Sequence, residues 1–530
     1  MGFYLFFQLA IILSVVAGVS SIILCVQRKR YPFFILISIA LIPYFQYQFF
    51  NPVYNGPLFT QLSDSRLPIH DKKIRNWGDT FVCHPKQIYY PVNNEEISNI
   101  VLNSSTIRVV GGGHSFSPLA CTEETLVSLS KMDHILSSTS NTVTAQAGIT
   151  IESLLVHLLQ HDKIIHGFGS IQEQTLAGAF STSHHGLTFH SFAEEVTSIT
   201  VILANGTIIH ANDLFYWRSS LGMLGIISEV TIKTHPNVYV DITSSKMNID
   251  DAIETLITAD AGLIETNYNQ KETGLLKHIR FRDGHGDIDY PVKTNDFISA
   301  LWDSIIIPIT VLVPSLSSFP LLDFASNSTS TNVPIVEAWS HHAEYGMQYS
   351  AYAIPYENCS KFIKSIDNRD NHSISTILIR YVPSQINTTC LTIATENSCV
   401  IDVYDLQVQG TMIDYHIELE KNVSELGGSS HWGKFYVGDI SLQLKNMPCY
   451  ESFLTLREEL DPSSKFLNEY TQEIITLNSS TYENRYSGKS QRRYEDKAVS
   501  FRIVFCFTVV AYIVTFVFFA CENNGYERLK

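Results

Sequence analysis

A short apolar strand that runs directly into three glycines is the feature that most restricts how this chain can fold. Residues 107–110 (Ile-Arg-Val-Val) predict a buried strand, and glycines 111–113 follow it without interruption. Glycines at a strand exit let backbone amides approach an anion closely, and Ser115 and Ser117 add hydroxyl donors. This chemistry predicts a pyrophosphate cradle, with an ordinary glycine-rich turn as the alternative. The spacing is not Gly-x-Gly-x-x-Gly, and Pro118 is incompatible with the helix that such a fingerprint opens.

A second stretch, residues 167–186, again combines glycines with hydroxyl side chains. Such a loop can lie flat against a planar ring while its backbone amides bond the heteroatoms of the ring. The adjacent His184 and His185 raise metal ligation as an alternative. Neighbouring histidines project in different directions on most backbones, and no carboxylate or cysteine lies close to them in the sequence. We therefore predict that the chain has no metal site here.

Strand and helix patterns alternate through the middle of the chain. Residues 196–203 and 207–211 flank Asn205-Gly206, which is a strong hairpin signal, and residues 225–234 predict a further strand. One amphipathic helix is predicted from apolar residues that recur at helical spacing: Ile151, Leu154, Leu155, Leu158 and Leu159.

Pro236 marks the predicted boundary between two domains, residues 61–236 and 237–480. The second domain is again mixed and carries strand-like runs at 347–354, 375–382 and 398–408. The pattern as a whole predicts the α+β class.

Three apolar runs at the ends of the chain are long enough to cross a bilayer core of about 30 Å. They are residues 3–26, 31–50 and 501–521. A secretory signal is the alternative for the first run, but that run lacks a basic start and a small-residue cleavage site. We predict a membrane anchor at 1–60, and a juxtamembrane linker with a last transmembrane helix at 481–530.

Charge and cysteine usage indicate the side of the membrane. The basic residues 28–30 between the first two spans should stay cytosolic, which places the main body in the lumen, although the basic residues within 485–497 argue the opposite way. Six cysteines between the anchors suit disulfides in an oxidising compartment, and their pairing is open: Cys83, Cys121, Cys359, Cys390, Cys399 and Cys449. Eight glycosylation sequons also fall there: Asn103, Asn205, Asn327, Asn358, Asn371, Asn387, Asn422 and Asn478.

The net charge of −16 argues against a nucleic-acid partner, because phosphate binding needs a concentrated basic surface.

Four motifs in order resemble a known family. The two glycine-rich stretches and residues 219–230 (SSLGMLGIISEV) closely resemble the FAD-binding domain of the vanillyl-alcohol-oxidase superfamily. Residues 430–434 (Ser-His-Trp-Gly-Lys) and 457–470 (REELDPSSKFLNEY) are similar to closing motifs of its sugar-1,4-lactone oxidase branch, which includes gulonolactone, arabinonolactone and alditol oxidases. The resemblance spans residues 74–475. It implies a two-subdomain FAD-binding domain of the PCMH type followed by an α/β substrate domain, or cap.

The resemblance assigns roles residue by residue. His114 takes the position whose imidazole is bonded to the 8α-methyl of the flavin, and Ile227 would bond the adenine end through its backbone. The remaining cofactor positions that match are Gly111, Gly112, Gly113, Ser115, Ser117, Gly169, Ser170, Thr175, Gly178, Thr182, Ser183 and His185. An endoplasmic-reticulum location is likewise implied by the animal enzymes that the chain resembles.

Three residues are predicted to act on the substrate. Oxidation of an alcohol passes a hydride to FAD and needs positive charge beside the developing alkoxide, which Arg380 and Lys434 can supply. Lys434 is also a candidate base if burial lowers its pKa, and His431 lies at the same edge. The alternatives are a solvated lysine, a structural ion pair for Arg380 and a core histidine for His431.

Two departures from the family pattern bear on the substrate. Relatives usually carry an acid where this chain has Leu378, and another where it has Ala351. A pocket without the first carboxylate is expected to prefer a less hydroxylated, or differently hydroxylated, substrate than a typical sugar lactone. Gly169, in contrast, leaves room for dioxygen, so an oxidase that releases hydrogen peroxide is favoured over a dehydrogenase. An oxidase of another alcohol, polyol or amine and a catalytically silent scaffold are the competing interpretations.

Overall fold

Strands outnumber helices in the part of the chain that the structure, a computed structural model, describes. It describes residues 69–70, 73–76, 80–189, 191–266, 271–282, 327–336, 347–366, 374–406, 412–444 and 447–477. These residues all belong to one compact unit of the chain, Asp64–Pro291 with Pro314–Ser490. The combination of helices with mainly antiparallel sheets agrees with the predicted α+β class. The domain division at Pro236 stays a prediction.

The strands that precede residue 237 are, in chain order, β1 (Ile69–His70), β2 (Lys73–Arg75), β3 (Val82–Cys83), β4 (Gln87–Tyr89), β5 (Ile107–Val110), β6 (Thr125–Ser128), β7 (Ile135–Ser138), β8 (Thr142–Gln146), β9 (Lys163–Ile164), β10 (Val196–Ile202), β11 (Ile208–Ala211), β12 (Ile226–Lys233) and β13 (His235–Pro236). The later strands are β14 (Tyr239–Asn248), β15 (Ala261–Thr266), β16 (Thr273–Phe281), β17 (Ser328–Pro334), β18 (Met347–Pro355), β19 (Ile374–Val382), β20 (Ser398–Leu406) and β21 (Ser429–Ser430).

The helices are α1 (Asn94–Leu102), α2 (Ile151–Leu159), α3 (Leu176–Phe180), α4 (Phe192–Glu195), α5 (Ile249–Leu256), α6 (Cys359–Ser365), α7 (Met412–Glu425), α8 (Ile440–Leu444), α9 (Tyr450–Leu460) and α10 (Glu469–Thr476), and a 3₁₀ turn covers Tyr356–Asn358.

Several sheets form in the first half of the described chain, and one of them leads into the first glycine-rich stretch. The parallel sheet β4-β6-β5 carries the strand that was predicted before the glycines. The antiparallel sheet β11-β10-β12-β8-β7 contains the predicted hairpin, in which β10 pairs with β11 and Gly206 turns with φ 79°. The strand predicted at 225–234 is β12. A small antiparallel sheet, β1-β2-β3, lies at the start of the described residues.

The helix predicted from 151–159 is α2, and Thr150 caps it by accepting from the backbone N–H of Ser153 at 3.1 Å. Of the five apolar residues that predicted the helix, four are buried, whereas Leu159 is 36% exposed at the C-terminal end.

An eight-stranded antiparallel sheet occupies the second half, in the order β17-β14-β16-β15-β19-β20-β18-β21. Its three predicted strands are β18, β19 and β20, which lie side by side. Alternate residues face opposite sides of a strand, so Ile377, Ile379, Ile401 and Val403 pack into one apolar cluster with α5, α6 and α7. The residues between them face the other way, towards the site described below.

The end of the described chain returns to the first half. The backbone N–H of Ile107 on β5 donates to Lys465 at 2.8 Å, and the ammonium of Lys465 donates to Val101 at 2.7 Å. The Asn468 amide donates to the carbonyls of Pro118 and Cys121. Segments more than 300 residues apart in sequence thus support the same strand.

The predicted cysteines form three disulfides, which resolve the pairing that the sequence left open. They are Cys83–Cys121, Cys359–Cys399 and Cys390–Cys449.

Within the described ranges, no helix is both long and apolar enough to cross a membrane. The spans predicted at 3–26, 31–50 and 501–521 lie outside those ranges.

Candidate active site

The three glycines after β5 form a turn in which two positions have no room for a side chain. A Cβ on Gly111 would lie 2.0 Å from Thr175 Oγ1, and a Cβ on Gly112 would lie 2.6 Å from the carbonyl oxygen of Glu173. Gly113 adopts φ 70°, a conformation that L side chains rarely take. Bare backbone therefore faces the adjoining space, as an anion cradle requires.

The second stretch packs a histidine against its own glycine. The backbone N–H of Gly169 donates to Nε2 of His184 at 2.6 Å, so this nitrogen is an acceptor. Burial, with Lys434 and Arg380 nearby, lowers the pKa of His184 to about 3 and keeps the ring neutral. An alanine at 169 would place its Cβ 2.5 Å from His184 Cε1. Gly169 is thus also needed for this contact, independently of any role towards dioxygen.

Both stretches line one cavity of about 1510 Å³, including its open mouth. The strands β12, β19 and β20 supply further walls. The predicted site residues that line it are Gly111, Gly112, Gly113, His114, Ser115, Gly169, Ser170, Thr175, Gly178, Thr182, His185, Ile227, Arg380, His431 and Lys434.

Two predicted cofactor residues are not in this lining. The buried hydroxyl of Ser117 donates to the carbonyl of Trp432, and the hydroxyl of Ser183 shares a hydrogen bond of 2.7 Å with Ser219. These hydroxyls join backbone segments together. The phosphate-binding interpretation of Ser117 was drawn from its proximity to Ser115 in sequence, which does not specify the direction of the side chain.

An ion pair lies at the sheet end of the cavity. Nη2 of Arg380 on β19 donates to Oδ2 of Asp402 on β20, and the two side chains are only 7% and 4% exposed. Leu378 and Tyr404 line the same region. The predicted structural ion pair for Arg380 therefore exists, and it lies inside the cavity. Leu378 leaves β19 without the acid that relatives carry there, and Asp402 provides a carboxylate to the cavity from the neighbouring strand.

The His-Trp-Gly-Lys segment follows β21 and brings Lys434 to the cavity. The N–H of His431 donates to Ala351 at 2.8 Å, and the N–H of Phe116 donates to Gly433 at 2.8 Å, so the segment is tied both to the large sheet and to the glycine loop. The ammonium of Lys434 lies 5.9 Å from the centre of the Phe116 ring. Burial lowers the pKa of Lys434 to about 7; the charge of Asp402 opposes this shift and that of Arg380 adds to it.

Three further histidines stay neutral in this cavity. Burial lowers the pKa of His114 to about 4, with Lys434 as a second cause. Burial also holds the pKa values of His185 and His431 well below the ordinary range. The ring centres of His185 and His431 lie 5.2 Å apart. The positive charge in this part of the cavity therefore comes from Arg380 and from the protonated form of Lys434.

Sequence reasoning missed Asp402, Tyr404 and Arg108, which also line the cavity. Arg108 on β5 donates to the carbonyls of Leu119, Leu221, Gly222 and Phe466, and burial lowers its pKa to about 10. The available signal was a lone charge inside an apolar strand, as in Ile-Arg-Val-Val and Val-Ile-Asp-Val. Such charges are seldom buried without a partner.

No cluster of three or more metal-ligating side chains occurs among the described residues.

Comparison with known proteins identifies two domains. Residues 85–212 match the FAD binding domain family, and residues 293–474 match the D-arabinono-1,4-lactone oxidase family. The chain is 23% identical to bovine (Bos taurus) L-gulonolactone oxidase over 447 residues, which cover 76% of this chain and 98% of that protein. It is 22% identical to the L-gulono-1,4-lactone dehydrogenase of Mycobacterium tuberculosis, again over 76% of this chain and 98% of that protein.

The fold is shared with a solved structure of another enzyme. A solvent-stable cholesterol oxidase superposes with a TM-score of 0.62 at 15% identity, over 78% of this chain and 98% of that one. The two domain matches and the lactone oxidase relatives indicate an FAD-linked oxidase that acts on CH–OH donors. More narrowly, the two domain matches and the relatives indicate the sugar-1,4-lactone oxidase branch of the vanillyl-alcohol-oxidase superfamily.

Proposed function

We propose that this protein oxidises a sugar-1,4-lactone of the gulono-, galactono- or arabinono- type and yields an ascorbate-type product. The proposal rests on one observation: the glycine turn after β5 and the buried Arg380 and Lys434 line the same cavity. The names of the bovine relative and of the matching C-terminal family supply the substrate class.

The cavity residues fit FAD by their chemistry. The glycine turn offers backbone amides to a pyrophosphate, and the buried Arg108 adds positive charge to the lining. FAD, when bound, supplies the hydride acceptor for the substrate carbon. We propose that it is covalently attached through its 8α position to His114. The lowered pKa of His114 supports this, because only a neutral imidazole can act as a nucleophile.

The side chains at the sheet end perform the proton and charge work. Arg380 and protonated Lys434 stabilise negative charge that develops on the substrate oxygen. A neutral Lys434 can take the hydroxyl proton, because its pKa of about 7 leaves both forms populated near neutrality. His431 is neutral, and its Nδ1 accepts from the N–H of Gly433 at 3.0 Å, which fixes the turn that carries Lys434. His431 therefore orients this segment at the cavity edge.

Dioxygen is the proposed electron acceptor, with hydrogen peroxide as the second product. Gly169 leaves the cavity wall free of a side chain at this point. The dehydrogenase name of the mycobacterial relative keeps a different acceptor as the alternative. The apolar Leu378 in the lining favours, as a second candidate substrate, another alcohol or polyol. A silent scaffold is disfavoured, because buried cations without a function would only reduce stability.

We further propose that the chain is an integral membrane glycoprotein of the endoplasmic reticulum, with this domain in the lumen. Three disulfides support an oxidising compartment. Of the sequon asparagines in the described ranges, four are exposed and accessible to a glycosyltransferase: Asn103, Asn205, Asn327 and Asn387. The anchors at 3–26, 31–50 and 501–521 would hold the domain at the membrane.

The full chain, isolated with its cofactor, tests the proposal in two steps. Acid precipitation should leave yellow colour in the protein pellet if the flavin is covalent, and His114→Ala should release it. Oxygen consumption is then measured with 1,4-lactones and with alditols. Turnover of lactones supports the proposal, turnover of alditols alone selects the second candidate, and silence with both overturns each of them. Digestion with a glycosidase should increase electrophoretic mobility if the domain is lumenal.

A further inference from the structure

The register of β18, β19 and β20 places Asp402 at the sheet end of the cavity, beside Arg380. Its Cα is directly opposite Leu378 on β19 and Ala351 on β18. Residues directly opposite in an antiparallel sheet point to the same face, so the three positions form one row across three strands. Arg380 is paired with Val400, which places it diagonally beside Asp402 on that face.

The carboxylate of Asp402 is only half used by the protein. Oδ2 accepts from Arg380, whereas Oδ1 is buried and has no hydrogen-bond partner within the described chain. An ionised carboxylate accepts hydrogen bonds on both oxygens, and leaving one of them buried without a donor is costly. A purely structural ion pair gains nothing from such an arrangement. Asp402 belongs to the lining of the cavity, where a ligand can supply the missing donor.

The side chains around Asp402 indicate which kind of hydrogen-bond donor its Oδ1 would accept from. A second cation is not required, because Arg380 already balances the carboxylate. An alcohol hydroxyl is a neutral donor that fits a buried acceptor beside a guanidinium, and Arg380 can contact a neighbouring substrate oxygen. Leu378, directly opposite Asp402 on the same face, adds an apolar side chain to this part of the lining.

We propose that Asp402 is a specificity-determining residue whose Oδ1 accepts a hydrogen bond from a substrate hydroxyl other than the one oxidised. This rests on the proposed function and deepens it. The carboxylate that the pocket needs comes from β20 and not from β19, so the Leu378 position does not make the substrate less hydroxylated. A lactone that lacks this hydroxyl leaves Oδ1 unpaired and is rejected.

The test uses the flavin-loaded full chain with L-gulono-1,4-lactone and its monodeoxy analogues that keep the oxidised carbinol. With wild type, one analogue should show a kcat/KM about 100-fold below that of the parent lactone. In Asp402→Leu this difference should shrink to a few-fold, because both compounds then lack the acceptor. Asp402→Asn, which keeps a neutral acceptor, should retain part of the discrimination.

A swap variant guards against loss of folding, since Asp402→Leu leaves Arg380 without its carboxylate. Leu378→Asp combined with Asp402→Leu returns a carboxylate to the same row and the same face. Its unfolding temperature should recover towards wild type, and discrimination against the same analogue should return at least in part. Asp250→Asn, which removes one member of the exposed Asp250–Lys364 pair, is the matched control and should change neither quantity.

The outcomes separate the inference from the proposed function. Turnover of lactones with equal discrimination in wild type and Asp402→Leu overturns the inference and leaves the function standing. Absence of turnover with every lactone and alditol overturns both. Loss of discrimination in Asp402→Leu, together with its return in the swap variant, supports the assignment of Oδ1 to a substrate hydroxyl.

Discussion

The two ends of the cavity are built by opposite means. At the glycine end, Gly111 and Gly112 leave no space for a side chain and present backbone alone. At the sheet end, the charged side chains of Arg380, Asp402 and Lys434 converge from three separate segments. The glycine end suits a part of the ligand that is the same in all cofactors of one class. At the sheet end, a single substitution can alter the chemistry of the cavity.

This difference shows how one fold can keep its cofactor while its substrate changes. At the glycine end, any added side-chain atom meets neighbouring atoms. This end therefore tolerates few substitutions, and it should keep the same ligand. The side-chain end depends on burial and charge balance, since Arg380 and Asp402 compensate each other. Burial lowers the pKa of Lys434, Asp402 opposes this shift and Arg380 adds to it. Predictions about the two ends should therefore differ in kind: loss of cofactor at one, and altered chemistry with retained cofactor at the other.

The largest effect is expected for Lys434→Met at the sheet end. Loss of a base and of a cation should slow flavin reduction by about 10²- to 10⁴-fold, while the flavin content stays at the wild-type level. In wild type, kcat/KM should rise with pH through about 7 and then level off, because the neutral amine is the active form and the pKa of Lys434 is lowered to about 7. Stopped-flow reduction across pH 5.5–8.5 measures both.

Lys434→Arg is the matched control, because it keeps a cation that does not lose its proton. It should remain slow and show no rise near neutral pH. The pKa of His114, lowered to about 4, does not produce a rise in that range. A profile that persists unchanged in Lys434→Met would remove this lysine from proton transfer.

A smaller but qualitatively different effect is expected for Gly112→Ala at the glycine end. The new Cβ meets the Glu173 carbonyl at 2.6 Å, and backbone does not yield as a side chain does. Overpacking costs about 1–3 kcal/mol, which corresponds to roughly a 5- to 150-fold loss of cofactor affinity. Absorbance at 450 nm relative to 280 nm in the purified full chain gives the flavin content.

Gly111→Ala provides an internal comparison, because its Cβ meets the Oγ1 of Thr175 at 2.0 Å. Thr175→Ala removes that atom and should restore part of the flavin content of Gly111→Ala. The same Thr175→Ala change should do nothing for Gly112→Ala. Equal rescue of both variants would contradict the distinction between a backbone and a side-chain obstacle.

The smallest effect is expected for Ser117→Ala. Its hydroxyl is bonded to the Trp432 carbonyl and is not part of the cavity lining, so flavin content and turnover should be retained. The loss of a buried hydrogen bond should lower the free energy of unfolding by about 1 kcal/mol. Thermal unfolding followed by flavin fluorescence measures this, and a colourless Ser117→Ala protein would restore the phosphate-binding interpretation of Ser117.

Local features of the fold were predictable from the sequence because they depend on neighbours in the chain. The strand at 107–110, the hairpin around Asn205-Gly206 and the helix at 151–159 each follow from periodicity and turn chemistry. Periodicity does not specify burial at a helix end, where Leu159 is 36% exposed although it follows the apolar spacing. The order of strands in the eight-stranded sheet was not predictable, because it depends on pairings between distant segments.

The same reasoning explains the partial prediction of the site. The glycine end is contiguous in sequence, and its motif carries the resemblance by itself. Arg380 and Lys434 were found through motifs, but Asp402 was not, because its partner lies 22 residues away on another strand. Only the register of β19 against β20 shows that a carboxylate absent at Leu378 is present opposite it. Ser117 shows the converse, a residue in the right motif whose side chain points elsewhere.

The guanidinium of Arg108 has a consequence for biosynthesis. Its acceptors include the carbonyl of Phe466, and the neighbouring Ile107 N–H donates to Lys465. The strand that ends in the glycine turn therefore lacks several of its bonds until about 350 further residues have left the ribosome. A translation product that stops before this point exposes a buried cation with unmet donors. Cofactor loading should consequently be a late event, and it reports that synthesis has passed residue 466.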